Sequence, residues 1–139
     1  MSGFTLLEVV ISILVVGIMM GGLVSLYIQS AARAEWSAYS VAGQMMALRG
    51  VEQTRAAQWD PRAGVPVDEL VSSNFPPVVD ILDLGPNGAW TTYATNVTTI
   101  QTASVSPPLK SIQVVCTWYF PARNKVFTNS LITFRSPDQ

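Results

Sequence analysis

Histidine is absent from the 139 residues, and cysteine occurs once, at Cys116. Without histidine the chain has neither the usual base of a catalytic triad nor the ligands of a His-bound zinc site. A single cysteine closes no disulfide within the chain and builds no CxxC metal or redox site. We therefore expect no metal, no cofactor and no enzymatic activity.

Charge is also scarce. Charged residues make up 12% of the chain, against roughly a quarter in an ordinary soluble domain. Eight Lys and Arg residues against nine Asp and Glu residues give a net charge of -1. The chain thus lacks the basic field that holds a phosphate backbone or an anionic lipid surface. Nucleic acid is not expected as a partner.

The scarcity of charge is concentrated near the amino terminus, where Val9–Ala32 holds 24 consecutive uncharged positions. Within it, the apolar segment Val9–Ile28 would span roughly 30 Å as a helix, enough to cross a membrane. A chain this short has little core with which to bury such a helix. A secretory signal peptide would carry basic residues first and a shorter apolar run. The pattern predicts a transmembrane helix over 4–32.

One carboxylate, Glu8, lies at the edge of the apolar segment. A charge deep in a membrane costs on the order of 2.5–3.5 kcal/mol, and less near the interface. Near a helix amino terminus, the helix dipole favours a carboxylate. Glu8 therefore either sits among lipid headgroups or serves a purpose inside the membrane.

The residues that precede the apolar segment resemble the type IV prepilin processing site, which pilins share with type II secretion pseudopilins: Gly3-Phe4-Thr5-Leu6-Leu7-Glu8. The resemblance implies that a prepilin peptidase cleaves between Gly3 and Phe4 and methylates the new amino group of Phe4. It also implies that the Glu8 carboxylate meets the amine of a neighbouring subunit. The leader Met1-Ser2-Gly3 departs from the family pattern, because it carries no Lys or Arg.

Helix geometry is compatible with that role for Glu8. Phe4 and Glu8 are four positions apart, so on a helix they share a face and lie about 6 Å apart along the axis. An unpaired buried carboxylate is strongly penalised, so subunits that pair it in register are favoured over subunits that do not. Glu8 is therefore expected to set assembly register rather than to catalyse.

Three glycines interrupt the apolar segment at Gly17, Gly21 and Gly22. Gly17 and Gly21 have the GxxxG spacing that permits close approach of two helices in lipid. Glycine is also simply common in membrane helices. A third interpretation is that Gly21 and Gly22 weaken the helix locally and let it stretch or kink on assembly.

Helical character continues over 33–60 as the second half of the same helix, to a predicted stop at Asp60-Pro61. Apolar residues recur there at helical spacing, including Val41, Met45 and Leu48. A stripe of large side chains is predicted to be core: Trp36, Tyr39, Met45 and Met46. Proline and glycine over 61–88 predict loops, with Asp80 and Asp83 as solvated turn residues rather than a calcium site.

The remaining residues indicate β structure. Residues 90–102 are rich in threonine and β-branched side chains, which suits a strand. Residues 110–120 alternate, with one face predicted to be buried: Ile112, Val114, Cys116, Trp118 and Phe120. A turn at 121–125 and a returning strand at 126–135 complete a hairpin of a three- or four-stranded antiparallel sheet. The predicted fold class is α+β, with a long amino-terminal helix on a small antiparallel sheet, an arrangement that also resembles pilins.

The resemblance implies a structural minor subunit of a pilus-like filament, either a type II secretion pseudopilus or a type IV pilus. The small carboxyl-terminal domain at 61–139 and the lone cysteine favour a minor subunit within the family, and the Trp-containing hairpin near the end resembles minor pseudopilins or minor pilins of the I and V types. Implied partners are other pilin or pseudopilin subunits, prepilin peptidase and an inner-membrane assembly platform. After removal of the leader at 1–3, the chain would cross the bacterial inner membrane once, with its carboxyl-terminal domain in the periplasm. The alternative is a single-span, membrane-anchored periplasmic binding module.

Overall fold

A computed structural model describes residues 5–62 and 64–138 of the chain. Its elements are helix α1 (Leu6–Ala56) and strands β1 (Trp59–Asp60), β2 (Val67–Asp68), β3 (Val78–Leu84), β4 (Thr91–Val105), β5 (Pro108–Phe120) and β6 (Lys125–Arg135). The chain divides after Ser37 into two compact units. The described residues from Ala38 onward are called the head. The α+β prediction is confirmed, with one long apolar helix and a small antiparallel sheet.

Helix α1 is continuous over 51 residues, as the absence of proline before Pro61 predicts. It ends at Ala56 rather than at the predicted stop of Asp60-Pro61. The last residues of the predicted helix, Trp59 and Asp60, instead form β1, which pairs antiparallel with β2. The Trp59 side chain is buried, and its backbone N–H donates to Asp138 Oδ2 at 2.8 Å. These tertiary contacts end the helix earlier than the local pattern predicts.

The main sheet is antiparallel and four-stranded, in the order β3-β4-β5-β6, which confirms the predicted sheet and its carboxyl-terminal hairpin. Strands β5 and β6 are joined by a turn at Pro121–Arg123, followed by Asn124 with a left-handed φ of 50°. Asparagine tolerates this conformation better than most residues. Every second residue of β5 faces the core, and the predicted buried set is confirmed: Ile112, Val114, Cys116, Trp118 and Phe120, each at most 2% exposed.

The prediction of loops throughout 61–88 is wrong, because β3 lies inside that range. Its apolar and β-branched residues pair with β4, and proline and glycine mark only the ends of the strand. Asp80 and Asp83 are consequently strand residues and not turn residues. The Tyr39 hydroxyl donates to Asp83 Oδ2 at 2.6 Å, and Arg49 lies 3.5 Å from Asp80 Oδ2. Both carboxylates therefore contact helix α1.

Small residues on one face of α1 let it approach the sheet closely. This face carries Tyr39, Gly43, Ala47, Gly50 and Thr54, all of them buried. A Cβ atom on Gly43 would lie 2.9 Å from the Trp118 Nε1 atom, and one on Gly50 would lie 2.8 Å from Val114 Cγ1. Side chains of the sheet thus fill the space between the two layers.

This packing corrects the predicted core stripe of α1. Tyr39 is buried and Met46 packs partly buried against the core, but Trp36 and Met45 are 39% and 61% exposed. Val41, Met45 and Leu48 recur at helical spacing as predicted, yet all three are exposed. At 3.6 residues per turn, these three positions lie about half a turn around the helix from Gly43, Ala47 and Gly50. They are therefore on the side opposite the small residues. The helical periodicity of the large apolar residues identified one face of α1, but that face is exposed. The buried face is the one that carries the small residues.

Candidate assembly segment and polar sites of the head

The amino-terminal part of α1 is not covered by any other described part of the chain. Every residue from Thr5 to Ala31 is exposed, and its large apolar side chains range from 41% exposed at Val15 to 86% at Leu6. This helix contains a span long and apolar enough to cross a membrane, and none of that span is buried. Seventeen large exposed apolar side chains between Leu6 and Ile28 require lipid or other apolar partners. The segment fits a single-pass membrane protein.

Glu8 lies in the first turn of α1, where a carboxylate is favoured by the helix dipole. Its backbone N–H lies 3.3 Å from Thr5 Oγ1, which accepts the hydrogen bond. Thr5 and Glu8 have the T-x-x-E spacing of a capping box, a helix-start signal that could have been recognised in the sequence. The carboxylate itself is exposed and has no hydrogen bond from the residues that the structure describes. Glu8 thus has two candidate roles, one in a capping box that its side chain does not complete in this structure and one in pairing with another chain.

The other predicted processing residues, Gly3 and Phe4, lie outside the described residues. The three predicted packing glycines lie within α1, which continues through them without interruption. A Cβ atom on Gly17, Gly21 or Gly22 would meet nothing within 4 Å. No contact within the described chain therefore requires glycine at these positions, whereas a neighbouring helix in lipid would benefit from it.

The head contains one buried cation, Lys110. Its side chain is 10% exposed, and its Nζ donates to both carboxylate oxygens of Asp68 at 2.6 Å and to the Leu70 carbonyl at 2.7 Å. Nζ also lies 4.9 Å from the centre of the Trp59 ring, within cation–π range. All three ammonium protons have acceptors, so Lys110 ties the 59–70 segment to β5 and has no donor left for a substrate.

A shallow groove runs between α1 and the β3–β4 side of the sheet. It has a volume of about 300 Å³ and an uncharged lining that includes Gln53, Phe75, Asn96 and Thr98. Asn96 Nδ2 donates to the Met46 carbonyl at 2.9 Å, while the buried Asn96 Oδ1 accepts no hydrogen bond. The groove could accommodate a small polar group but offers no ionisable side chain for chemistry.

Within the described ranges, no three His, Cys, Asp or Glu side chains are close enough to hold a metal ion. The one cysteine, Cys116, is fully buried, and burial raises the pKa of its thiol. Comparisons with protein-family models, curated proteins and solved structures find no match for this chain. Function is therefore inferred from these residues and their geometry.

Proposed function

We propose that this protein is a non-enzymatic, minor structural subunit of a pilus-like filament, assembled through its amino-terminal helix. The observation that carries the proposal is the apolar, wholly exposed start of α1 with one carboxylate in its first turn. An ordinary membrane anchor has no need of that carboxylate. A subunit that docks beside other helices uses it to fix its position along them.

The physical basis is the free energy of an unpaired charge. In a bundle of apolar helices, a carboxylate without a partner is penalised far more than an apolar side chain. Docking that brings Glu8 to the amino group of a neighbouring subunit removes this penalty, and docking in another register retains it. The charge thereby selects one stagger of the helices, as polar residues do in coiled coils.

The remaining parts of the proposal follow the resemblance of residues 3–28. Prepilin peptidase is the processing enzyme, an inner-membrane platform and other pilins or pseudopilins are the assembly partners, and the head lies in the periplasm. Either a type II secretion pseudopilus or a type IV pilus is the host filament. Gly17, Gly21 and Gly22 provide the close helix approach within it. The lone Cys116, which closes no loop, favours a minor subunit over a major one.

Glutamine at position 8 separates the two roles of Glu8. Glutamine retains the hydrogen-bonding group of a capping box but removes the charge. The proposal predicts that Glu8→Gln inserts into the membrane normally, yet is recovered with the filament at a level reduced by about ten-fold or more, equivalent to about 1.4 kcal/mol. The measurement is the amount of each variant in sheared or purified filaments, relative to its amount in membranes.

Two comparisons make the result decisive. Glu35→Gln removes a carboxylate from the same helix outside the apolar segment and should assemble like the unmodified chain. Intact mass should show a mature chain that begins at methylated Phe4 when prepilin peptidase is co-expressed, and an unprocessed chain when it is not. Normal assembly of Glu8→Gln alongside failure of Glu8→Ala would assign Glu8 to capping and reject the register role.

A membrane-anchored binding module is the second candidate, and the groove beside Asn96 is the observation that favours it. In that case the groove, and not the apolar segment, would carry function. Gln53→Ala would then abolish function while leaving the amount of the protein in the membrane unchanged. A filament subunit predicts the converse, with function insensitive to Gln53→Ala and dependent on Glu8.

A further inference from the structure

The main sheet has two faces of different chemistry. Helix α1 packs against one of them, because a Cβ atom on Gly43 would lie 2.9 Å from Trp118 Nε1 and one on Gly50 would lie 2.8 Å from Val114 Cγ1. Side chains alternate between the two faces along each strand. The face away from α1 is called the outer face: residues 91–101 of β4 and 111–119 of β5 at odd numbers, residues 126–134 of β6 at even numbers, and Val79, Ile81 and Leu84 of β3.

Every charge of the sheet lies on the helix side. Strands β3–β6 contain five charged residues: Asp80, Asp83, Lys110, Lys125 and Arg135. All five stand at register positions that alternate with the outer face. Asp80, for example, lies opposite the buried Ala94, and Lys125 lies opposite the buried Phe120. The outer face of the four described strands therefore carries no charged side chain.

The outer face is instead rich in exposed apolar side chains. Nine of its large apolar residues are exposed, from 38% at Val97 to 64% at Val126. They include Tyr93, Tyr119 and Phe134, and aromatic residues are enriched in the buried centres of protein interfaces. Single exposed apolar residues are ordinary on a protein surface, but a group of this size on one uncharged face marks an interaction surface.

The size and the neutrality of the outer face suit an identical face as its partner. From a strand spacing of about 4.8 Å and a rise of about 3.3 Å per residue, its projected area is about 700 Å². Side chains roughen the surface, so its accessible area reaches the roughly 800 Å² that each partner buries in a stable interface. A charged surface repels its own copy, whereas the outer face can pack on its copy without any like-charge contact.

We propose that two copies of this chain pack through the outer faces of their main sheets, as the two layers of a β-sandwich. The two-fold axis runs parallel to the strands and passes between β4 and β5, the middle of the sheet. This arrangement places β4 of one copy over β5 of the other, with Tyr93 near Tyr119 and Val97 near Val115 of the second copy. A two-fold contact closes at two copies. This inference does not depend on the proposed filament function.

The direction of α1 is compatible with this axis. In the head, α1 runs alongside β6 in the same direction, since a Cβ atom on Gly43 would lie 2.9 Å from Asn129 Oδ1 and the Thr54 carbonyl accepts a hydrogen bond from Arg135. A two-fold axis parallel to the strands leaves both directions unchanged in the second copy. The helices of the two copies therefore point the same way, as anchoring in one membrane requires, and the sheet face against α1 takes no part in the contact.

Site-specific crosslinking of the full chain tests the packing, in membranes of a host that has no filament-assembly components. Thr95→Cys, beside the proposed axis, should give a covalent dimer with a short bismaleimide, because packed sheets lie about 10 Å apart and their facing side chains lie closer. The native Cys116 is 0% exposed and does not compete for the reagent. Ser73→Cys, on the exposed turn Ser72–Asn74 outside the outer face, is the matched control and should remain monomeric.

Charge at Thr117 distinguishes contact between two copies from other contacts. Thr117 lies opposite Thr95 in the sheet, so in the dimer the Thr117 side chains of the two copies lie near each other and near the axis. In the Thr95→Cys chain, either Thr117→Lys or Thr117→Glu should lower the dimer yield by about ten-fold, because like charges then meet across the interface. Co-expression of the Lys and Glu chains should restore the yield as mixed dimers. Ser73→Lys in the Thr95→Cys chain should leave the yield unchanged.

The near-ultraviolet circular dichroism of each variant should confirm a folded head, and the dimer should persist in a Glu8→Gln background. Equal crosslinking at Ser73 and Thr95, adducts of Thr95→Cys with other proteins only, or no dimer from a folded Thr95→Cys variant would each overturn the proposal. A yield that Thr117→Lys leaves unchanged would do the same. Loss of the dimer in the Glu8→Gln background would also overturn it, because the copies would then be held together by their helices.

Discussion

Asp138 joins the residues after β6 to the segment that follows α1. Its carboxylate accepts hydrogen bonds from the Trp59 backbone N–H at 2.8 Å and from Arg135 Nη2 at 2.6 Å. The Asp138 N–H in turn donates to the Trp59 carbonyl at 2.8 Å. The hydrogen bond from Trp59, and then that from Arg135, hold the pKa of Asp138 below its ordinary value. The folded head therefore favours the ionised form of this carboxyl group.

A depressed pKa in the folded state stabilises the head above the ordinary pKa, and this contribution is lost as the pH falls through the folded value. We expect Asp138→Asn to lower the thermal unfolding midpoint of the head at pH 7. The difference from the unmodified chain should shrink as the pH falls below the ordinary aspartate pKa of about 4 and through the lowered pKa that Asp138 has in the folded head. Thermal unfolding followed at several pH values measures this difference.

Glu35→Gln, which removes a carboxylate outside the head, is the control and should leave the head's midpoint unchanged across the same pH range. A constant offset between Asp138→Asn and the unmodified chain down to pH 2 would contradict the role given to the ionised carboxylate.

At the scale of elements, the close approach of α1 to the sheet depends on small residues at Gly43, Ala47 and Gly50. Trp118 and Phe120 fill the layer from the sheet side, with Tyr39 packed edge-on to both at centroid distances of 5.8 and 5.7 Å. Alanine is a better helix former than glycine by about 1 kcal/mol, so glycine here weakens the helix in isolation. Its retention is explained by the lack of space for a Cβ atom.

Gly50→Ala tests this explanation. The added Cβ would lie 2.8 Å from Val114 Cγ1, a branched and fully buried side chain that cannot swing away. Overpacking of this kind costs about 1–3 kcal/mol, which exceeds the gain in helix propensity. Each kcal/mol of net loss should lower the midpoint of the head by roughly 4–8 °C. Calorimetry or circular dichroism measures the shift.

Gly17→Ala makes the same chemical change on the same helix, where nothing lies within 4 Å of the new atom. The midpoint of the head should not fall in this variant. An equal fall in both variants, or none in Gly50→Ala, would show that the space at Gly50 is not the constraint.

Elements with a clear local pattern were predictable from the sequence. The long helix, the alternating strand β5 and the hairpin with Asn124 at its turn all follow local rules of hydrophobic periodicity and turn chemistry. Strand β3 was missed because its proline and glycine neighbours dominate the composition of that segment. The buried face of α1 was missed because it consists mostly of small residues, whereas the prediction was based on the spacing of large apolar side chains.

In the candidate site, Glu8 could be predicted from the sequence, whereas the contacts of Lys110 could not. Glu8 stands out in the sequence as a carboxylate directly before a long apolar run, and the structure adds the hydrogen bond from its backbone N–H to Thr5. The buried set around Lys110 could not be predicted, because Asp68 and Trp59 meet it only through tertiary contacts 42 and 51 residues away in sequence. The uncharged outer face of the sheet required knowledge of strand order and register, which local patterns do not contain.

At the scale of the whole molecule, the two units differ in how they are stabilised. All of the described buried hydrophobic residues belong to the head, from Tyr39 to Phe120. Between Thr5 and Ser37, the part of the first unit that the structure describes, no apolar side chain is buried. Its stability must come from lipid or from other chains, whereas the head has its own core.

A fragment that begins at Ala38 should therefore fold alone. We expect its thermal midpoint to lie within about 3 °C of the head transition of the full chain in detergent, because distant sites contribute nearly independently. Differential scanning calorimetry compares the two. Gly50→Ala should lower the midpoint of both by the same amount, and a fragment without a cooperative transition would contradict an independent core.

The contact between Gly50 and Val114 also has an evolutionary consequence. The two positions are 64 residues apart in sequence, yet the space available to one is set by the size of the other. A larger residue at either position fits only if the residue at the other position becomes smaller. Descendants of this chain are expected to change the two positions together, with a larger helix residue accompanied by a smaller strand residue.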